Sequence, residues 1–124
     1  MALRPDAGRY ECGTLNTIGC FGLRASIELL LEVGVRQIAP AVLSLADRIA
    51  AGVVACGYEL LGDRTPANSS GIVSFRKSGI GAEEVVRVLR SRGITAAPRA
   101  GWVRTSPHFY IAPAEIDRML EALP

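Results

Sequence analysis

Residues 17–57 limit the fold more than any other stretch, because they repeat apolar side chains at helical spacing and are broken once, by Gly34. Ile18, Phe21, Ala25, Leu29, Leu30 and Val33 recur mostly at three- and four-residue steps before that glycine. Ile38, Val42, Leu45, Ile49, Val53 and Cys56 repeat the pattern, and Gly57 follows. The spacing predicts two consecutive helices, with Thr17 capping the first and each glycine supplying a left-handed stop. Pro40 is expected in the first turn of the second helix, where a missing amide hydrogen costs little. Ahead of them, residues 1–16 show no periodicity and carry Pro5, Gly8 and Gly13, so they read as an extended arm before a domain over 17–124.

Beyond Gly57 the period changes. Tyr58 to Leu61 reads as a short strand, Gly62 to Ser70 as a polar loop, and Ile72-Val73-Ser74-Phe75 as a clear strand. Glu83 to Arg92 is a helix burying Val85, Val86 and Leu89, with Gly93 as its stop. Ile94 to Ala97 is expected as a strand, Pro98 to Gly101 as a turn, and Trp102 to Thr105 as a further strand. A last helix begins near Pro113 and buries Ile116, Met119, Leu120 and Leu123. The strand–helix–strand unit from Ile72 to Ala97 predicts a right-handed crossover between parallel strands, and the turn at Arg99 adds an antiparallel neighbour. The expected fold is α+β: a small mixed sheet of three or four strands with helices packed on it, after an arm and two long helices.

Composition excludes several roles. Net charge is only +2 and Lys77 is the sole lysine, so no basic patch for nucleic acid is expected. Arg24, Glu28 and Glu32 interrupt the best apolar window, which argues against a membrane span, and residues 1–13 lack the apolar core of a signal peptide. Cys12, Cys20 and Cys56 are odd in number and lack CxxC spacing, which fits reduced thiols in the cytoplasm. With His108 remote from all three in sequence, no metal site is expected.

Two stretches carry candidate chemistry. In GWVRTSPHFY, residues 101–110, strand alternation puts Arg104 on the face of Trp102 and opposite Val103 and Thr105. An arginine there serves either as a surface residue stacked on the indole or as a clamp for a planar anion. His108, the only histidine, has no motif supplying a nucleophile or orienting carboxylate, which favours a capping or packing role over catalysis. Lys77 in FRKSG reads as solvated rather than as an imine-forming amine. Glu83 and Glu84 suit the first turn of their helix through its dipole, and Cys12 has no local base to activate it. In RYECGTLNT, residues 9–17, Gly13 and Thr14 offer amides and a hydroxyl ahead of a helix, an arrangement suited to phosphate and equally to ordinary capping.

Together these stretches resemble a known family. Arg9-Tyr10-Glu11-Cys12-Gly13-Thr14-Leu15-Asn16 is similar to the RFE-x-GTPN segment of class V pyridoxal-phosphate (PLP) enzymes, which include aminotransferases, cysteine desulfurases and kynureninases. Arg104 to Tyr110 is similar to that family's R-x-SPHFYN segment, and Glu115-Ile116-Asp117 fits the helix after it. The resemblance covers residues 9–123 and implies the C-terminal small domain of such an enzyme, one that works as a dimer. It implies that Arg104 grips the α-carboxylate of an amino-acid substrate. It implies also that Gly13 and Thr14 contact the cofactor phosphate of a neighbouring subunit. Leu15 and Ile111 depart from the family's proline and asparagine, and no cysteine lies between Gly93 and Arg104, which weighs against a desulfurase. The family's Schiff-base lysine, ring-stacking histidine and pyridine-pairing aspartate lie in a large domain that these residues do not contain. No catalysis is therefore expected of this chain alone. The alternative is a non-catalytic binding or assembly module derived from that domain.

Overall fold

The computed structural model describes residues 4–11 and 13–124. It forms two compact units, residues 1–35 and 36–124. The first holds a short 3-10 turn, Ala7–Tyr10, where an extended arm was expected, and then helix α1, Thr17–Val33. Asn16, not Thr17, caps α1: its side-chain oxygen accepts the Gly19 amide at 2.9 Å. At the other end Gly34, with φ of 93°, donates its amide to the Leu30 carbonyl at 2.9 Å.

The second unit is built on α2, Val35–Ala55, which it holds from Arg36 onward. Because the helix starts at Val35, Pro40 sits inside it and not in its first turn, so the Arg36 carbonyl loses its partner. By length and composition α2 could cross a membrane. Its apolar face is accounted for otherwise: Leu45, Ala46, Ile49, Ala50 and Val53 are buried in the core of this unit.

Four strands follow in a single sheet: β1 Glu59–Leu60, β2 Val73–Arg76, β3 Ala97–Arg99 and β4 Trp102–Thr105. Helix α3, Ala82–Ser91, joins β2 to β3, and α4, Pro113–Glu121, ends the chain. The α+β class holds, but the sheet is not mixed. Its order is β1-β2-β4-β3 and every neighbouring pair is antiparallel. Strands β2 and β3 do run the same way, as the crossover requires, yet β4 folds back between them, so no parallel pair forms. The fold-back is a two-residue hairpin in which Ala100 and Gly101 have φ of 47° and 80°. Positive φ at both central residues is the type I′ turn that matches strand twist.

The same closing motif ends α2 and α3. Tyr58 donates its amide to Val53 and Gly57 to Val54, each at 2.9 Å. Likewise Ile94 donates to Leu89 and Gly93 to Arg90, each at 3.0 Å. This is why the strand expected at Ile94 begins instead at Ala97: the Ile94 amide is spent closing the helix.

One face of the sheet carries the core. Val73, Phe75, Val103 and Thr105 are buried against Val85 and Leu89 of α3, the α2 face, and Ile116 and Met119 of α4. Phe75 and Leu89 have no exposed surface, and each such side chain stabilises the fold by about 1.5–3 kcal/mol. Tyr58 packs its ring edge-on to Phe75 at 5.3 Å, and the buried Thr105 hydroxyl donates to the Val73 carbonyl.

Candidate functional site

The sheet's other face is where Arg104 lies. Alternation puts Ser74 and Arg76 of β2 and Trp102 and Arg104 of β4 there, none of them fully buried, while their neighbours fill the core. Register fixes who stands beside whom. Arg104 lies between Ser74 and Ala97, two side chains too short to pair with it or cover it. Among the described residues Arg104 makes no hydrogen bond or ion pair, although it is half-buried. A half-buried guanidinium with all its donors free is poised for an anion, because those donors form a planar fork that fits a carboxylate.

The stacking reading of Arg104 falls to a different residue. It is Arg76 whose guanidinium lies over the Trp102 ring, at 4.3 Å from its centre, and Arg76 is also paired with Glu59 of β1. Sequence reasoning missed Arg76 because its place beside Trp102 depends on the pairing of β2 with β4, which no local pattern states. Arg99, opposite Trp102 on β3, joins the same face.

His108 is not brought to Arg104. It lies in the loop after β4, with its ring stacked on Tyr110 at 4.4 Å and tilted against Phe109 at 4.7 Å. Its surroundings form a cleft of about 350 Å³ that Thr105, Glu115 and Met119 also line, on the helix-covered side of the sheet. Lys77 belongs to that side too. Its ammonium stands 5.0 Å from the Tyr58 ring centre and donates to the Pro124 carbonyl, so it does not point toward Arg104. Burial, and then the nearby Cys56 thiol, push the Tyr58 phenol above its ordinary pKa. Glu84 pairs with Arg87 on α3, as a helix-surface acid does, and Cys12 lies outside the described residues. No cluster of three metal-ligating side chains occurs among the described residues.

Gly13 and Thr14 lie in the first unit. Gly13 has φ of 113° and, its chain neighbours aside, no atom of the described residues within 4 Å of where a Cβ would stand, and Thr14 is exposed. Two amides of the α1 first turn are already engaged: Thr17 donates to Leu15 and Gly19 to Asn16. An anion held here would draw on the open Gly13–Thr14 backbone and the Thr14 hydroxyl more than on the helix end. Open amides with a hydroxyl are the kind of donor set that could hold a phosphate.

These features define a small α+β domain with an unpaired arginine on the open face of its sheet. The chain belongs to the aminotransferase class-V family, whose model matches residues 2–115. Over 93% of its length it is 32% identical to a probable cysteine desulfurase of Methanothermobacter thermautotrophicus. It superposes on the apo cysteine desulfurase of Thermococcus onnurineus with a TM-score of 0.80 at 25% identity, covering 97% of this chain and 33% of that one. The cystine C–S lyase C-DES, solved with cysteine persulfide, shares the fold at a TM-score of 0.78 and 22% identity, over 91% of this chain and 30% of that one. A C-DES mutant has been solved with glycine covalently linked to its PLP cofactor. The chain spans about a third of the length of the curated relatives it matches.

Proposed function

We propose that these residues are the C-terminal part of a PLP-dependent enzyme acting on an amino acid, with Arg104 as the clamp for the substrate's α-carboxylate. The observation that carries this reading is the half-buried guanidinium of Arg104 on the open sheet face, unpaired among the described residues, with Ser74 and Ala97 as its cross-strand neighbours. Bidentate pairing there fixes the carboxylate's plane, and with it the orientation of the substrate's α-carbon. Gly13 and Thr14 hold the cofactor's phosphate, supplied to a neighbouring subunit of a dimer. When bound, PLP supplies an electron sink for bonds at the α-carbon.

The chain's single lysine is engaged with Tyr58 and Pro124, so the lysine that anchors the cofactor belongs to polypeptide outside these residues. Alone, the chain binds and orients but does not turn over substrate. The relatives' names point to carbon–sulfur chemistry. The absence of a cysteine between Gly93 and Arg104 favours a reaction needing no acceptor thiol in that segment. Cys20 and Cys56, both free and exposed, fit a reducing compartment, the cytoplasm.

The test is Arg104→Ala in the PLP-loaded enzyme formed by the whole natural polypeptide. Loss of a charge-assisted bidentate contact is expected to raise KM for the amino acid by ten- to a hundredfold, roughly. An unchanged KM would remove the clamp assignment. A second reading, a stand-alone assembly module, is favoured by α1, which buries none of its residues and leaves Ile18 86% and Phe21 72% exposed. It requires the native product to be this chain alone and to form a stable oligomer. The mass of the polypeptide that yields the GWVR peptide in source extract, with sedimentation of the purified chain, separates the two.

A further inference from the structure

The open sheet face holds more positive charge than one carboxylate needs. Trp102 stands opposite Arg99 of β3, and Arg104 lies two residues along β4 on the same face. Arg99 and Arg104 are therefore diagonal cross-strand neighbours, roughly 7–8 Å apart along the sheet. Neither makes a hydrogen bond or ion pair among the described residues, and Arg99 is exposed. The one acid placed on this face by the strand pairing, Glu59, is already taken by Arg76. Arg76 in turn lies over Trp102, which stands beside Arg99 across the strand pair.

Like charges at diagonal positions repel, and nothing on this face offsets them. Such a pair is stable in use when an anion with two separated charges lies across it. The spacing also gives the two guanidinia different tasks. Arg104 is half-buried between short neighbours, which suits a fixed carboxylate. Arg99, at the rim beside the Ala100–Gly101 hairpin, has a free arm of several rotatable bonds and can meet acids at more than one distance.

We infer that Arg99 is a specificity-determining residue which, with Arg104, selects amino acids that carry a second acidic group at the end remote from the α-carbon. The inference rests on the reading of Arg104 as the α-carboxylate clamp and adds the substrate class to it. An acid from polypeptide outside these residues would neutralise Arg99 instead, and the whole-enzyme measurement below separates that arrangement from this one.

Trp102 is the only tryptophan, opposite Arg99 and two residues from Arg104 on the same face, so its emission reports on anions there. The 124-residue chain is titrated with acetate, succinate and glutarate at constant ionic strength, after the thermal transition of each variant has been recorded. The expected result is that succinate or glutarate saturates the signal at a concentration lower than acetate by about tenfold or more, as a second charge-assisted contact provides. Arg99→Gln should bring the diacid midpoint to that of acetate while leaving acetate unchanged, and Arg99→Lys should fall between. Arg104→Gln should remove the acetate response. Equal midpoints for diacid and acetate in the unaltered chain, or a diacid preference that survives Arg99→Gln, would overturn the inference while leaving the clamp intact. An acetate response that survives Arg104→Gln would overturn the clamp itself. In the PLP-loaded enzyme formed by the whole natural polypeptide, Arg99→Gln should raise KM for an acidic amino acid by about tenfold and leave KM for a neutral one unchanged. An unchanged KM for both is the result expected if Arg99 pairs with an acid outside these residues, and it would overturn the inference.

Discussion

Arg76 holds its guanidinium over the indole of Trp102, 4.3 Å from the ring centre, on the face of the sheet that Arg104 shares. The contact engages the arginine of this face that pairs with an acid, Glu59. Arg76 is thereby withdrawn from this face's anion-binding charge, which is left to Arg104 and Arg99.

That stack is measurable. Arg76→Ala should cost about 0.5–1 kcal/mol, the usual size of an exposed cation–π contact, and should shift Trp102 emission without altering the fold. Arg76→Lys should retain part of the effect. Chemical denaturation followed by fluorescence reads both quantities at once.

Ala100 holds a left-handed φ of 47° that a residue with a Cβ adopts at a cost of about 1 kcal/mol. Ala100→Gly and Ala100→Asn should each raise stability by up to roughly that amount, because type I′ turns favour these residues. The expected signature is a higher urea midpoint at an unchanged slope.

Arg48 donates to both carboxylate oxygens of Asp117, at 2.8 and 2.7 Å, and so links α2 to α4. Both side chains are nearly half exposed, so the pair is screened and worth no more than about 0.5–1 kcal/mol. A double-mutant cycle with Arg48→Ala and Asp117→Ala should return a coupling of that size, falling as salt is added.

Tyr58 gives the fold an alkaline limit. Burial raises its pKa above the ordinary 10.0, with Cys56 adding to the shift, so the folded state holds the phenol proton more tightly than the unfolded chain does. The resulting stability is fully present below the ordinary value and is lost as pH rises through the raised one. Stability measured between neutral and strongly alkaline pH should therefore decline at the top of the range. Tyr58→Phe should flatten that decline while lowering stability at neutral pH, since the hydroxyl's bond to the Pro124 carbonyl at 2.8 Å is lost.

Helices were the legible part of this chain. The apolar periods of α2, α3 and α4 survive in the core through Ile49, Val53, Val85, Leu89, Ile116 and Met119, because helical spacing is a local property. The side on which Arg104 sits was legible for the same reason, since alternation needs only its two neighbours. Strand order was not. A strand, a helix and another strand read as adjacent parallel partners, and nothing in residues 72–97 announces that β4 will fold in between. Pro98 misled locally, reading as a turn although it pairs with Val103, because a strand at the sheet's border tolerates a missing donor. The arginine cluster at Trp102 needed cross-strand register, which only the folded sheet provides.

Both borders of the sheet are poor templates for further growth. On one side β1 is two residues long, and on the other β3 has three residues with a proline at its centre. A strand from another molecule would find few consecutive donors and acceptors at either border, so this domain is guarded against joining edge to edge into aggregates. The protection comes from the same hairpin that turns β4 inward: the long, well-paired strands sit in the middle of the sheet, and the short ones face the solvent.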